Sequence, residues 1–487
     1  MSTEVQLTDP DLHAWLIGDR VAADLAALSR GVAAILGPGC VDEAWWQQRH
    51  DCEEAERTRP TLDAIYRTCP LRLAERLHEG LNVYWAIGER ALPPLLPLIN
   101  PMVQAELHLY TKLDTSGKPY REHVVHTTRV AALSHLFLAE PGGVGLPGAL
   151  RWDKVRTGWS HSKEYDLLRR FATRRGLDLP DPSSPGDPWG PWVRIAALLS
   201  GLIHDLGYLH KAIGEVVEKA ARAVPWMRFK PDVTAPEVSA ETPLGRFYRA
   251  VIDPEEHGHD DASLPAFLRR HYRPLHSVVG ALWLAGLADA LRPGYSAGVG
   301  PHPSCRREAS MAELSFQLAA LMAFAHDLAL SDDKRRGILG MRQVERGGET
   351  LDVVNRRDYP LCTLFSLADV LQEFGRPVQV VRGDALRYCV PVAGVGLTPE
   401  GGGLRVRYLT RIPSRLNTSL MPRRALEERA MGAWRECHVG KGVESWLRSA
   451  NLGGLIFVDE KNENNRLASY RPERGPGFGA RKLVRSR

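Results

Sequence analysis

The stretch AALLSGLIHDLGYLHK, residues 196–211, constrains this chain more than any other. Almost every position ahead of His204 and Asp205 is apolar or small, so the helix it forms must be enclosed by other helices. Gly207 is expected to break that helix and turn the chain away. A buried His-Asp pair demands partners, because a carboxylate without a cation or donors is costly in an apolar interior. Side by side, an imidazole nitrogen and a carboxylate oxygen can hold a metal ion, and the carboxylate can also bridge to a second. The dipeptide alone says little, since it occurs at His50-Asp51, His204-Asp205, His259-Asp260 and His326-Asp327. The first leads into CEEAER and the third lies among acids, so both read as solvated surface.

At 487 residues the chain is longer than one ordinary core fills, which points to a large central domain with appended segments. With 44% hydrophobic and 25% charged residues, wholesale disorder is excluded. A net charge of +5 is small for this length and does not by itself indicate nucleic acid. The seven cysteines include no Cys-x-x-Cys pair, which suggests a reducing compartment. The start, MSTEVQLTDPDLHAW, lacks the basic and apolar regions of a secretory signal, and no apolar run reaches the roughly 18 residues of a membrane span. A cytoplasmic protein without a membrane partner is expected.

Residues 1–100 read as an N-terminal helical segment. AWLIGDRVAADLAALSRGVAAIL is closed by Gly37-Pro38-Gly39; Trp45, Trp46, Tyr66 and Trp85 serve as core anchors, and Pro93, Pro94 and Pro97 mark the boundary. Residues 101–380 read as an all-helical domain. In HVVHTTRVAALSHLFLAE, His126 shares a face with Val130, Leu133 and Phe137, and His123 lies one turn earlier. Residues 176–191 form a loop, and the polar region 230–274, which holds His257 and His259, reads as a lid or insertion. HSVVGALWLAGLADAL opens a helix with His276, where Gly280 and Ala281 allow a close neighbour; a Gly/Pro loop covers 295–308. AELSFQLAALMAFAHDLAL sets His326 on the face of Met322, Ala319 and Leu318. PLCTLFSLADVLQEFGRP buries Asp369 one turn after Phe365 and is ended by Gly375 and Pro377. Residues 381–487 read as a small α+β extension with a basic flexible tail from NENNRLASY onward. Its strand signals begin just before that boundary, in PVQVVRG, and continue in ALRYCVPVAGV, LRVRYLTRI and GLIFVDE, with a helix around 423–450. The fold class is mainly α.

Five helices therefore each carry ligand-type side chains in apolar surroundings: His126, His204 with Asp205, His276, His326 and Asp369. A shared bimetal centre accounts for all of them at once. The phrases HTTRV, LIHDLGY, HSVVGAL, FAHDLAL and LADVLQEFGRP, spread over roughly half the chain, resemble the HD-domain superfamily of metal-dependent phosphohydrolases. The resemblance implies that His126, His204, Asp205 and Asp369 hold one divalent ion, and that Asp205 bridges to a second held by His276 and His326. The ions would be Mn, Fe, Mg, Ni or Zn. His123 is then expected to bond a ligand from outside, and Asp327 to lie on a helix surface. Many cyclic-nucleotide members carry a lysine where this chain has Tyr208, with Lys211 the candidate replacement. Gly294-Tyr295-Ser296 does not match the GYP signature of the cyclic-dinucleotide branch.

The expected activity is hydrolysis of a small phosphorylated molecule, a nucleotide or a related phosphoester, by a water activated between two cations. Asp205 is central, and Arg129, Lys211 and Arg376 are candidate donors to phosphate oxygens. Three other classes compete. Some six-ligand HD proteins are di-iron oxygenases, an HD nuclease acting on single-stranded nucleic acid would suit the basic tail, and a nucleotide sensor would bind without turnover.

Overall fold

The computed structural model describes residues 4–36, 124–139, 146, 148–205, 207, 276–290, 306–326, 343–346, 349–352, 357–372, 392–400, 403–410, 454–458 and 466–470. Strand β1 (Val5–Thr8) runs into α1 (Asp9–Leu16) and α2 (Asp19–Leu36). Next come α3 (Val124–Ala139), α4 (Trp152–Trp159), α5 (Lys163–Arg175) and α6 (Gly190–Ile203). After α7 (His276–Ala290) and α8 (Arg306–Ala325), a hairpin of β2 (Gln343–Arg346) and β3 (Glu349–Asp352) precedes α9 (Pro360–Leu371). The remaining strands are β4 (Val392–Glu400), β5 (Gly403–Thr410), β6 (Gly454–Val458) and β7 (Arg466–Tyr470). The protein is mainly α, as its patterning indicates.

Helix α6 is the hub because no side of it is polar enough to face water. All of its residues are buried except Pro191, and it packs on α2, α3, α7, α8 and α9. Helix α8 is buried from Ala309 to Ala325 and lies against α6, α7, α2 and α9. The crossing of α6 and α3 is a backbone contact. A Cβ added to Gly201 would lie 2.3 Å from Ala131 Cα and 2.5 Å from Ala131 N, a space no larger residue can share.

Buried polar bonds fix the helices against one another. The Arg194 guanidinium on α6 grips Asp24 on α2 with two bonds, Nε to Oδ2 at 2.6 Å and an Nη to Oδ1 at 2.7 Å. His135 on α3 lies between Asp24 Oδ2 (2.9 Å) and the indole N–H of Trp15 on α1, which donates to His135 Nδ1 at 3.1 Å. Nδ1 therefore accepts and Nε2 carries the proton of a neutral ring, in keeping with a pKa that burial lowers. Arg129 on α3 donates from Nε to Asp9 Oδ1 at 2.5 Å, at the start of α1. A fourth tie concerns α9. Glu164 on α5, itself fully buried, accepts from Trp159 Nε1 (2.8 Å), Leu361 N (3.1 Å) and Cys362 N (2.8 Å), so its carboxyl caps the first turn of α9. Burial raises that carboxyl's pKa, and it also raises the pKa of the adjacent free Cys362 thiol.

Helix ends follow local chemistry. Ser162 caps α5 by accepting from Tyr165 N (3.1 Å), and Gly176, at φ 63°, closes it in the left-handed conformation that glycine adopts without strain. The loop after it is held by Trp189 Nε1 donating to Pro180 O (2.8 Å) and Trp152 Nε1 donating to Asp187 Oδ2 (3.0 Å).

Several expectations need correction. The segment before residue 101 is not helical throughout, because β1 pairs antiparallel with β4, Val5 opposite Leu397. The region 101–380 is not all-helical, since β2 and β3 lie within it. The segment read as a flexible tail contains β7, which pairs with β6. The sheet order is β1-β4-β5-β6-β7, with β5 and β6 parallel and the other pairs antiparallel. Each missed strand is only four or five residues long and owes its conformation to its partner's backbone more than to its own pattern. Helix α8 begins at Arg306, inside the expected 295–308 loop, and α6 ends at Ile203, before Gly207. Trp45, Trp46, Tyr66 and Trp85, the strand PVQVVRG and the helix around 423–450 lie outside the described residues. No described helix is long and apolar enough to cross a membrane.

The crossing at Gly201 yields a paired prediction. Gly201→Ala forces α3 and α6 apart and should lower stability by about 1–3 kcal/mol, the usual range for overpacking. Gly158→Ala, on α4 with nothing within 4 Å of the added Cβ, should leave stability unchanged or raise it by about 0.5–1 kcal/mol. Thermal denaturation of the two variants measures the contrast.

Candidate metal centre

The six side chains picked out by the sequence converge, and they do so at helix ends. His126 is in the first turn of α3, His204 and Asp205 follow the last residue of α6, and His276 is the first residue of α7. His326 follows the last residue of α8, and Asp369 is in the last turn of α9. Three of these ends are C-termini, whose exposed carbonyls favour positive charge nearby. Close backbone packing brings α7 to α6. A Cβ on Gly280 would lie 2.7 Å from Ile203 O, and one on Gly207 would lie 2.2 Å from His276 Cα. Gly207 thus serves contact with α7 and does not break α6.

Asp369 Oδ1 is 3.0 Å from His126 Nε2 and 3.4 Å from His204 Nε2. Asp205 turns its two oxygens to different neighbours. Oδ2 is 3.5 Å from His126 Nε2, whereas Oδ1 is 3.5 Å from His204 Nε2, 3.8 Å from His276 Nε2 and 4.0 Å from His326 Nε2. His276 and His326 meet through their Nε2 atoms at 3.2 Å. Within each of the triads His126/His204/Asp205, His204/His326/Asp369 and Asp205/His276/His326, ligand atoms lie within 4.8 Å of one another. Nitrogen and oxygen ligands about 2.0–2.2 Å from a common cation are separated from each other by about 3.0–3.5 Å, so these buried groups could hold a metal ion.

The ring protons agree with that use. His204 Nδ1 donates to Gly201 O at 2.9 Å and His326 Nδ1 to Ala323 O at 2.6 Å, which leaves each Nε2 as a lone pair. His204 Nε2 is buried with no hydrogen-bond partner among the described residues. A buried imidazole nitrogen beside two carboxylates is a place that a proton or a cation can fill. Burial disfavours an imidazolium at His204, but the Asp205 and Asp369 carboxylates outweigh it and push the pKa up to about 9. Burial likewise opposes ionisation of Asp369, yet the His126 and His204 rings beside it, 3.0 and 3.4 Å from Oδ1, hold its carboxyl well below the ordinary carboxylate range. The metal-free cluster therefore takes up a proton where a cation would sit. Side-chain exposure is 17% at His276 and 15% at Asp369 but 6% or less at the other four side chains, so the cluster is most accessible on that side.

Two contributors were not recognised as such from the sequence. Phe365 walls the centre, with ring centroids 5.6 Å from His204 and 6.3 Å from His326. Gln372 Oε1 lies 2.5 Å from His126 Nδ1, and its only signal was a polar residue one turn beyond Asp369 in an apolar helix. Helix α9 already ends at Leu371, so Gly375 and Pro377 are not what stops it. Arg129, a candidate phosphate donor, is buried and engaged with Asp9. Lys211, Arg376, Tyr208, His123, His257, His259 and Asp327 lie outside the described residues. No protein-family model, no curated protein and no solved structure matches this chain.

A proton on His204 competes with metal. Because that pKa is raised above its ordinary 6.5, the stability the proton lends the metal-free fold is complete below about pH 6.5 and lost as pH rises through about 9. Affinity for Mn²⁺ should accordingly rise by about tenfold per pH unit until about pH 9, one proton being displaced per ion. Calorimetric titration at several pH values, in buffers of different protonation enthalpy, measures both the slope and the proton release.

Proposed function

We propose that this chain is a metal-dependent phosphohydrolase of the HD type, acting on a nucleotide or a related phosphoester with two divalent cations as cofactors. One observation carries the reading: the two carboxylate oxygens of Asp205 face in different directions, Oδ2 towards His126, and Oδ1 towards His204 and also towards His276 and His326. A carboxylate so placed can serve two cations at once. His126, His204 and Asp369 complete the first group of ligands, and His276 with His326 completes the second. When bound, two such cations neutralise charge on a phosphoryl group and lower the pKa of a water beside it.

The chain's own residues do the rest. Four neutral imidazoles and two carboxylates carry less negative charge than two divalent cations carry positive, so the loaded centre attracts an anionic substrate. Burial of His204, His326 and Phe365 excludes bulk water from the floor and strengthens electrostatic interactions there. His276 and Asp369, the most exposed ligands, face the direction from which a substrate arrives.

Asp205→Ala should remove the shared ligand and lower turnover by on the order of 10²–10³-fold or more, with far-ultraviolet circular dichroism unchanged because the helices bury their apolar faces without metal. His276→Ala should halve the metal content and spare the first group. Elemental analysis with a phosphate-release screen over nucleotides, cyclic nucleotides and single-stranded DNA and RNA checks this. Iron, dioxygen uptake and untouched phosphoesters would replace this reading with the di-iron oxygenase, and cleavage of single strands alone with the nuclease.

A further inference from the structure

Three of the four histidines reveal how they are held, and one is held differently. His204 and His326 each donate from Nδ1 to the carbonyl three residues earlier, Gly201 O and Ala323 O. Such an acceptor comes with the helix itself. His126 stands in the first turn of α3. Its Nδ1 instead meets Gln372 Oε1, 2.5 Å away beyond the end of α9, and both residues are buried.

We propose that Gln372 is the positioning residue of this centre. Its carboxamide oxygen holds His126 in the tautomer with the proton on Nδ1, and so presents the Nε2 lone pair to the ion shared with Asp205 and Asp369. This rests on the reading of His126 as a metal ligand and adds to it what makes His126 one.

The geometry of the helix end supports the assignment. Gln372 leaves α9 at φ −80°, ψ 79°, while its N–H still bonds Asp369 O at 3.2 Å. A single short segment therefore reaches both nitrogens of one imidazole: Asp369 Oδ1 lies 3.0 Å from Nε2, and Gln372 Oε1 lies 2.5 Å from Nδ1. In the opposite tautomer the Nδ1 lone pair would face the lone pairs of Oε1, and a proton on Nε2 would occupy the place of the cation. A carboxamide suits the role in a buried site that already holds Asp205 and Asp369, because it accepts strongly without adding a third negative charge. A ligand oriented by a partner outside the coordination sphere typically loses 10–100-fold in metal affinity when that partner is removed.

The experiment titrates the metal-free full-length protein with Mn²⁺ and Co²⁺, comparing wild type, Gln372→Leu and Gln372→Glu. Leucine fills similar space without an acceptor, and should weaken the tighter binding event by about 10–100-fold. Glutamate keeps an acceptor and should stay within a few-fold of wild type. Independently of any variant, the ¹⁵N shifts of His126 in the Zn²⁺-loaded wild type should show a protonated Nδ1 and a coordinated Nε2. Leucine binding as tightly as glutamate, or a His126 protonated on Nε2, would overturn the assignment of Gln372 while leaving the metal centre standing. A wild-type protein that binds none of the three ions would overturn both.

Discussion

Imidazole and carboxylate side chains are short, so a cluster drawn from five helices exists only if those helices meet at backbone distance. Everything at the centre depends on that constraint. Gly201 lets α6 lie directly on Ala131 of α3, and Gly280 and Gly207 let α7 meet the end of α6. With a side chain at any of these places, His126, His204 and His276 would draw apart by more than a coordination sphere tolerates. The Arg194–Asp24 pair and the Trp15–His135–Asp24 chain act on the same helices and keep α1, α2, α3 and α6 in one register.

The cost of the arrangement is electrostatic. Asp205 and Asp369 crowd two carboxylates beside four histidines, and their charge pushes the pKa of buried His204 up. Helix α9 shows how the protein orients such a group. At one end Glu164 accepts from the first-turn N–H groups of Leu361 and Cys362; at the other, Asp369 and Gln372 hold the two nitrogens of His126. A helix pinned at both ends presents its carboxylate with little freedom to rotate away, which is what a preorganised centre needs.

Much of this was legible in the sequence. The apolar runs around His204, His326 and Asp369 identify enclosed helices, because a segment with no polar side cannot face water, and the recurrence of ligand-type residues in such runs points to one meeting place. Periodicity, however, assigns a residue to a face and says nothing of where a helix stops. The clustered side chains lie at helix ends, and α6 and α9 end before the glycines that seemed to mark them. Partner choice was equally hidden. Asp24, His135, Arg194 and Glu164 look like ordinary polar residues until helices far apart in the chain place them against one another, since no local pattern encodes a bond such as that between Trp15 and His135. The short strands β1 and β7 escaped for the same reason: an edge strand is specified by the neighbour it joins.

The pairing of β1 with β4 bears on how the chain reaches its native state. Val5 emerges from the ribosome well before Leu397, its partner, which follows only after the helices between them have been made. Until then the leading strand has an unpaired edge, the kind of surface that recruits other extended chains. Yet β1 runs straight into α1, and Trp15 and Asp9 on α1 dock on α3 long before β4 exists. The early helical contacts thus hold the first strand at its later position and limit its search to one place, which replaces a very long loop closure by a local one. Synthesis order and topology, at odds along the sheet, are reconciled by the turn from β1 into α1.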